Sequence, residues 1–369
     1  MHIFTQTLLE VYKEFPRAST AKICHHLGVP PQMVRESREY LHRRGYLVKD
    51  ENLNYHITPK GEEELARIDR QLARREIEFI AGATETACKA LGTTKEHLHS
   101  FALMDKGMTN DSYIFFCDDE KYIYRRAGRG SSRLVNRERE YVNYELLKGL
   151  GLSDEVIYHD PKSGTKITKF IKNSRNIDEN NPEDVEKSLE TLRRLHNSGL
   201  KAPHDFDFLE NIHRYEELCK ENDVVFYSDY RRLKEKVKNL LDKIEQMGIE
   251  KCFCHIDFVP GNCLVEESGK VLLIDWEYSG NQDRLCDVAM FCISADLSKI
   301  NSDKLLTAYL QRKPTKEEFF RFYTYIATAA LMWSLWSEYK VSEGRVFDGY
   351  TDRCISFVRK YTALAEKIL

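Results

Sequence analysis

Hydrophobic positions recur with a helical period through the first part of the chain. Residues 4–14 carry apolar side chains at helical spacing, and residues 20–45 add two further helical stretches, which a Gly-Val-Pro turn separates and Gly45 ends. Residues 46–58 then alternate between apolar and polar positions on either side of a polar tip, as two short strands do. This order of short elements predicts a small separate module over residues 1–68.

The predicted module resembles a winged helix-turn-helix domain, and the resemblance covers roughly residues 4–68. In its longer helix, Arg35, Arg38 and His42 fall at positions i, i+3 and i+7, which lie on one helical face. A recognition helix uses such a face for base and phosphate contacts. The pattern therefore favours a DNA-binding surface.

The charge of the same segment favours a different partner. Glu36 and Glu39 share the helix with these basic side chains, and the wing tip, residues 50–52, reads Asp-Glu-Asn where phosphates would lie. Residues 1–75 contain 13 Lys and Arg against 10 Asp and Glu, an excess of only +3. We therefore expect residues 1–68 to contact either DNA or another protein, and both alternatives stay open.

Helical and strand patterns then follow one another in a way typical of two lobes. A charged helix near residues 69–91 lies in a connector that we place at residues 69–97. Short strands rich in aromatic or β-branched residues come next, with one helix among them. We expect a small antiparallel-sheet lobe over residues 98–173 and a mainly helical lobe over residues 174–369. The predicted fold class is α+β, with two lobes.

The composition removes several classes of function. With 369 residues, 42% of them hydrophobic, and a formal net charge of −3, the chain can build a large core and has no general basic field for nucleic acid. The ten cysteines follow no disulfide rhythm, which favours reduced thiols and a cytoplasmic protein. The longest uncharged apolar run, residues 322–336, is short for a membrane span, so we expect a buried helix there and no membrane association.

A hairpin is predicted late in the chain. Two short apolar runs, residues 263–266 and 271–274, read as its strands, and the residues between them include a Ser-Gly turn. A four-residue loop would pair Glu266 with Val271.

Polar side chains lie at the open end of this predicted hairpin. The same pairing places Asn262 opposite Asp275, with Cβ atoms roughly 5 Å apart, and Asp257 lies five residues before Asn262. An amide oxygen and carboxylates at this spacing form a hard-oxygen site of the kind that Mg²⁺ prefers. Solvated acids on a surface turn are the alternative interpretation.

Two segments resemble the catalytic and metal-binding segments of the aminoglycoside-phosphotransferase and choline-kinase superfamily, small-molecule relatives of the protein kinases. They are HIDFVPGN (255–262) and LLIDWEYSG (272–280). The resemblance covers roughly residues 98–345, and further segments match in the family's order: KGMTNDSYIF (106–115), YIYRRAG (122–128), NRERE (136–140) and LRRLHNSG (192–199). It implies a protein-kinase-like bilobal fold, with ATP and Mg²⁺ as cofactors.

The resemblance also implies roles for the matching residues. Asp257 would be the catalytic residue that orients the proton of the attacking hydroxyl, while Asn262 and Asp275 would hold Mg²⁺ against the nucleotide phosphates. Arg125 would bind those phosphates, because arginine makes bidentate contacts with them, and Glu140 would fix the guanidinium.

The remaining nucleotide contacts would come from the loop between the first two strands. Thr109 and Asn110 stand in the positions of the family's phosphate loop, although Lys106 replaces a frequent glycine there. Arg126 and Glu138 are the nearest rivals for the predicted ion pair, since each lies within two residues of the side chain that we favour.

Aromatic residues suggest what is phosphorylated. Trp333 and Trp336 lie at positions i and i+3 of one predicted helix, and Glu277 and Tyr278 follow the metal-binding segment. Such rings are often core residues, but aromatic faces also bind a quaternary ammonium, and Glu277 could add a counter-charge. We therefore expect a kinase that phosphorylates a small amino alcohol, with choline ahead of ethanolamine and an aminoglycoside third. A transcriptional regulator whose kinase-like domain senses a ligand stays open as an alternative.

Overall fold

The computed structural model describes residues 3–16, 18–27, 31–106, 109–128, 130–345, 347 and 349–368. The chain divides into two units, one of Met1–Glu85 with Lys340–Asp348 and one of Thr86–Tyr339 with Gly349–Leu369. The borders predicted at residues 68, 97 and 173 stay predictions.

The first unit contains short helices followed by a two-stranded hairpin, in the predicted order. Its elements are α1 (Ile3–Glu14), α2 (Thr20–Leu27), α3 (Pro31–Arg43), β1 (Leu47–Lys49), β2 (Tyr55–Ile57) and the start of α4 (Pro59–Leu91). The antiparallel strands pair Leu47 with Ile57. Leu8 and Tyr12 of α1, Val34 and Leu41 of α3 and Leu47 of β1 form the centre of its core.

Two of the three side chains predicted to face DNA make contacts within this unit. Arg38 donates a hydrogen bond to Thr20 Oγ1 at 2.9 Å, and its guanidinium lies 4.5 Å from the centre of the Tyr55 ring. His42 Nδ1 is 3.0 Å from the backbone oxygen of Leu47, and its ring packs edge-on against Tyr55. These contacts hold α3 against the hairpin, so a DNA or protein partner of this unit stays a prediction.

The second unit begins with a five-stranded antiparallel sheet. Its strands are β3 (Leu98–Lys106), β4 (Asn110–Cys117), β5 (Glu120–Ala127), β6 (Val156–His159) and β7 (Lys166–Lys169), in the spatial order β3-β4-β5-β7-β6. Helix α5 (Arg137–Leu147) lies between β5 and β6 in the chain, and the Asn136 side chain caps it by accepting from the backbone N–H of Arg139. Arg125 pairs with Ser112 of β4 on one side and with Lys166 of β7 on the other.

The rest of this unit is mainly helical, as predicted. Its helices are α6 (Pro182–His196), α7 (Phe208–Glu221), α8 (Tyr230–Gln246), α9 (Leu285–Ser294), α10 (Lys299–Leu310), α11 (Lys316–Ser342) and α12 (Tyr350–Glu366). Short strands lie among them: β8 (Arg175–Asn176), β9 (Cys252–Cys254), β10 (Cys263–Val265), β11 (Val271–Leu273) and β12 (Gly280–Gln282). They form the sheets β11-β10-β8 and β12-β9.

The apolar run at residues 322–336 lies in α11, and its side chains are buried, as predicted. In the part of the chain that the structure describes, no helix joins sufficient length to sufficient apolarity to cross a bilayer.

The predicted hairpin forms between β10 and β11, but its loop is one residue shorter than expected. The backbone N–H of Glu266 donates to the oxygen of Lys270 at 2.9 Å, so these two residues close the ladder. The N–H of Gly269 donates to the oxygen of Glu266, and Gly269 has a φ of +80°. A turn that ends in a left-handed residue is the usual geometry of a three-residue hairpin loop, and glycine adopts that conformation without a steric penalty.

The shorter loop moves every pair of the ladder by one residue. Val265 faces Val271, and the backbone N–H of Ile274 donates to the oxygen of Asn262 at 3.0 Å. The prediction that Asn262 lies directly opposite Asp275 is therefore wrong, because the sequence did not show that Gly269 would close the loop in the left-handed conformation.

Candidate active site

The loop that carries Asp257 begins where β9 ends, and a carboxylate from α9 holds its backbone. Asp287, in the first turn of α9, accepts the backbone N–H of His255 at 2.8 Å and that of Ile256 at 2.6 Å. Ile256 has a φ of +70°, a conformation that is rare for a β-branched residue. The two hydrogen bonds that Asp287 accepts stabilise this backbone conformation immediately before Asp257.

His255 connects this loop to the segment that follows β11. The imidazole is buried, and Nε2 donates to the backbone oxygen of Ile274 at 2.9 Å. The hydroxyl of Ser279 donates to the backbone oxygen of His255 at 3.0 Å. The loop that ends in Asp257 and the segment that begins at Asp275 are thus held side by side.

Asp257 and Asn262 lie together, as the sequence predicted. The amide nitrogen of Asn262 donates to Asp257 Oδ2 at 2.9 Å and to the Asp257 backbone oxygen at 3.0 Å. Burial, and next to it the charge of Asp275, raises the pKa of Asp257 to about 7, although the hydrogen bond from Asn262 opposes the shift. The pKa of Asp257 is therefore close to the value that a general base needs at neutral pH.

Asp275 reaches the site through its backbone conformation and not through the predicted cross-strand pair. Its φ is +67°, which turns the chain as it leaves β11. Its carboxylate oxygen Oδ1 lies 3.1 Å from Arg125 Nη1, and the side chain keeps 36% of its surface exposed. Asp275 is thus far more accessible than Glu140 and Glu277, whose side chains are 0% and 3% exposed.

The predicted ion pair between Arg125 and Glu140 is present and fully buried. The alternative residues do not form this pair: Arg126 bonds to Asp111 at 2.8 Å, and Glu138 is exposed. Burial alone would raise the pKa of Glu140, but the cations around it outweigh this effect and lower the pKa to about 2.

Two further cations of the site were not identified from the sequence. Arg137 Nη1 lies 2.9 Å from Glu140 Oε2 and 3.2 Å from Glu277 Oε2. Lys166 Nζ lies 3.8 Å from Glu140 Oε1 and donates to the hydroxyl of Tyr144. Arg137 stands in the same NRERE motif as Glu140, which is a signal that could have revealed it. Lys166 reaches the site only because β5 pairs with β7, which the sequence did not show.

Glu277 lies inside this network. Its Oε2 accepts from Asn110 Nδ2 at 2.9 Å, while the amide oxygen of Asn110 accepts from Arg137 Nη2 at 2.7 Å. Burial, and then the nearby Asp275 and Glu140, raises the pKa of Glu277 to about 8. Both polar ends of Asn110 are thus engaged with neighbouring side chains, and its predicted contact with a nucleotide stays a prediction.

The phosphate-loop segment is described in part. Gly107 and Met108 lie outside the described residues. The backbone oxygen of Thr109 accepts the N–H of Gly128 at 2.9 Å, and a Cβ atom on Gly128 would come within 2.5 Å of that oxygen. Glycine at position 128 therefore permits the close approach of the two backbones that ends this loop. The role of Thr109 in nucleotide binding stays a prediction.

The three aromatic residues predicted to wall an acceptor pocket lie together. The ring centres of Tyr278 and Trp333 are 5.4 Å apart, and those of Trp333 and Trp336 are 5.6 Å apart, both nearly perpendicular. All three rings are buried, and Trp333 Nε1 donates to the sulfur of Met290 at 3.2 Å. Burial, together with the neighbouring Tyr215, Glu277 and Asp257, raises the pKa of Tyr278. The cluster therefore lies near Asp257, and its contact with an acceptor stays a prediction.

Comparison with known proteins shows to which family this chain belongs. Residues 101–347 match the sequence profile of the choline/ethanolamine kinases, which is well over half of the chain. The chain belongs to the choline/ethanolamine kinase family. It is therefore a kinase-type phosphotransferase that uses a nucleotide and has the protein-kinase-like bilobal fold, as the resemblance implied.

Bacterial proteins are among the similar members of this family. The chain is 30% identical over 266 residues to the protein LicA of Haemophilus influenzae, which covers 69% of this chain and 78% of that protein. Its structure resembles the choline kinase LicA of Streptococcus pneumoniae with a TM-score of 0.67 and 28% identity, covering 78% of this chain and 99% of that one. A LicA structure in complex with AMP gives a TM-score of 0.62 and 28% identity over 72% of this chain and 92% of that one.

We predict that Arg137→Met weakens this kinase through Glu140 and Glu277, although Arg137 is not assigned to substrate. The change removes a cation from the buried carboxylate of Glu140 and a hydrogen-bond donor from Glu277, which costs about 3–5 kcal/mol of folding free energy. It also loosens Arg125, so kcat/KM for ATP should fall at least tenfold. Steady-state kinetics and thermal unfolding measure the two effects.

Arg139→Met is the matched control, because Arg139 lies on the same helix and has no part in this network. It should stay within twofold of the wild-type kcat/KM. Equal losses in the two variants would contradict the positioning role of Arg137.

Proposed function

We propose that this chain transfers the γ-phosphoryl group of ATP to the hydroxyl of choline, with Mg²⁺ as the metal cofactor. The observation that carries the proposal is the Asp257–Asn262 pair, held on a fixed backbone beside Asp275 and Arg125. Phosphoryl transfer asks a protein chiefly for positioning and for neutralisation of charge, and these four side chains provide both.

Asp257 would act on the acceptor hydroxyl. Its carboxylate accepts a hydrogen bond from Asn262 through Oδ2, which orients Oδ1 for a second partner. With a pKa raised to about 7 by burial and Asp275, it can accept the hydroxyl proton as the oxygen attacks phosphorus. A carboxyl group with its ordinary pKa would be a much weaker base.

The donor set fits Mg²⁺. Because the amide nitrogen of Asn262 points at Asp257, its Oδ1 is the atom available to a cation, and Asp275 keeps more than a third of its side-chain surface exposed. Carboxylate and amide oxygens are the ligands that Mg²⁺ takes, together with phosphate and water. When bound there, Mg²⁺ would neutralise charge on the transferred phosphates, while Arg125 would bind them from the side of the sheet.

The acceptor would lie against Tyr278, Trp333 and Trp336. The ammonium of choline has no N–H, so ring faces attract it while hydrogen-bond acceptors gain little. Glu277, the predicted counter-charge, has Oε2 engaged by Asn110 and Arg137, which weakens its candidacy as a partner for the three N–H donors of an ethanolammonium. This is the observation that favours choline over ethanolamine. A regulator that only senses its ligand would have no need of Asp257, Asn262 and Asp275 together.

The direct test is phosphotransfer from ATP and Mg²⁺ to choline, ethanolamine and a kanamycin-type acceptor. We expect choline to be preferred and Asp257→Asn to lower kcat by roughly a hundredfold or more, the size of a general-base contribution. Asp242→Asn is the control, because Asp242 is partly exposed on α8 and pairs only weakly with Lys238 at 3.4 Å. An Asp257→Asn enzyme within threefold of wild type would remove Asp257 from the mechanism.

The pKa of Asp257 predicts the pH dependence of the reaction. A base must be ionised, so kcat/KM for choline should fall as the pH decreases through about 7 and should be independent of this group well above it. The measurement is a pH profile between about pH 5.5 and 8.5, with circular dichroism at each pH to exclude unfolding. A profile that stays flat below pH 7 would show that Asp257 does not titrate as the base.

The aromatic pocket is tested by Trp336→Leu, measured with both acceptors. Loss of one ring face should remove about 0.5–2 kcal/mol of cation–π attraction, which raises KM for choline roughly two- to thirtyfold. KM for ethanolamine should change less, and KM for ATP should stay constant. Phe320→Leu, a buried aromatic of the same helix, controls for lost packing. Equal effects on the two acceptors would mean that Trp336 is only a core residue.

A further inference from the structure

Three thiols gather beside the loop that carries Asp257, which is the catalytic loop of the proposed reaction, and that reaction does not use them. Cys252 and Cys254 lie at alternate positions of β9, so both side chains lie on one face, and their sulfur atoms are 3.8 Å apart. Cys286, the second residue of α9, lies within 4.8 Å of the Cys254 sulfur. A ring nitrogen of His196 lies within 4.8 Å of the sulfurs of Cys252 and Cys254.

The state of His196 is set by Asp287. Asp287 already accepts hydrogen bonds from two backbone N–H groups of the catalytic loop, so its carboxylate is an acceptor, and it also accepts one from Nε2–H of His196 at 2.9 Å. Nδ1 then carries the lone pair, which accepts from the hydroxyl of Tyr309 at 2.6 Å. A histidine whose other nitrogen donates to a carboxylate is the usual form of a metal-binding histidine.

The spacing of the Cys252 and Cys254 sulfur atoms fits a metal ion, and Cys286 lies within 4.8 Å of the second of them. In a tetrahedral zinc–thiolate site the metal–sulfur bonds are about 2.3 Å long, which separates the sulfurs by roughly 3.8 Å. We propose that Cys252, Cys254 and Cys286, together with Nδ1 of His196, bind one thiophilic divalent cation of the zinc class. Asp287 is not a ligand in this site, because both of its oxygens are taken by the catalytic loop and His196.

Binding exchanges protons for metal. Burial raises the pKa of Cys286 to about 12 and also raises the pKa of Cys254, so the thiols carry their protons before an ion enters. Three S–H bonds break, three metal–sulfur bonds form, and three protons pass to solvent. The hydroxyl of Tyr309 gives up its hydrogen bond to Nδ1, and Cys254 gives up a weak one to the backbone oxygen of Gln282.

Such an ion would differ from the Mg²⁺ of the active site in both chemistry and effect. The site offers sulfur and nitrogen, which Mg²⁺ does not favour. It would join β9 to α9 just where Cys254 leads into His255 and Cys286 precedes Asp287. The bound ion would therefore stabilise the backbone of the catalytic loop without touching a substrate.

Cobalt titration of the chelator-treated full chain tests the site, because a thiolate–cobalt bond gives a charge-transfer absorption that oxygen ligands at Asp275 do not give. We expect a sulfur band that saturates at one ion per chain. Cys252→Ser and Cys286→Ser should each weaken binding at least tenfold. Cys292→Ser, which is buried in the same helix but donates to the backbone of Val288, should bind as the wild type does.

Absence of a sulfur band in the wild type, or equal affinity in all variants, would overturn the proposal and leave the thiols as core residues. If the variants do not fold, a second measurement on the wild type alone still tests the proposal. Zinc should slow alkylation of the partly exposed Cys252 at least tenfold and leave that of the partly exposed Cys88 unchanged, as read by peptide mass spectrometry. Equal alkylation rates of Cys252 with and without zinc would also overturn the proposal.

Discussion

The buried carboxylate of Glu140 is the contact on which the rest of the active site depends. Cations from three different elements meet it: Arg125 from β5, Arg137 from the start of α5 and Lys166 from β7. A carboxylate taken out of water costs several kcal/mol unless charges surround it. The helix and the sheet can therefore bury Glu140 only in the arrangement that brings these cations together, and this arrangement fixes the direction of Arg125.

The same charges reach into the segment that follows β11. Arg125 continues from Glu140 to Asp275, and Arg137 continues to Glu277, which also accepts from Asn110. A continuous network of ion pairs and hydrogen bonds thus connects the sheet, which would hold the nucleotide, to Asp275, which would hold the metal. A change in any of these groups is expected to alter the others, because contacting members of one network do not act additively.

A second set of contacts fixes the loop that carries Asp257. Asp287 accepts from two backbone N–H groups and from His196, and His255 donates to the backbone that precedes Asp275. Ile256 and Asp275 both have positive φ values, and such backbone costs of order 1–3 kcal/mol each. The hydrogen bonds offset this cost. They also place the loop beside the cysteine cluster, where a bound cation would add to the same stabilisation.

The sequence by itself determined much of this protein. Local patterns gave the short helices and hairpin of the first unit, the sheet followed by helices, and the buried helix at residues 322–336, because amphipathic periods and turn residues act within a few positions. Motif order gave the family, the Arg125–Glu140 pair and the neighbourhood of Asp257 and Asn262, since these spacings are short and chemically specific.

Only the tertiary structure decided the rest. The hairpin register depended on the left-handed φ of Gly269, and a one-residue difference moved Ile274 into the place predicted for Asp275. The inward direction of Arg38 depended on a hairpin that comes later in the chain. Lys166 and the cysteine cluster depended on strands and helices that meet across long separations in sequence. Burial and charge pairing are properties of such meetings, so no short segment could have shown them.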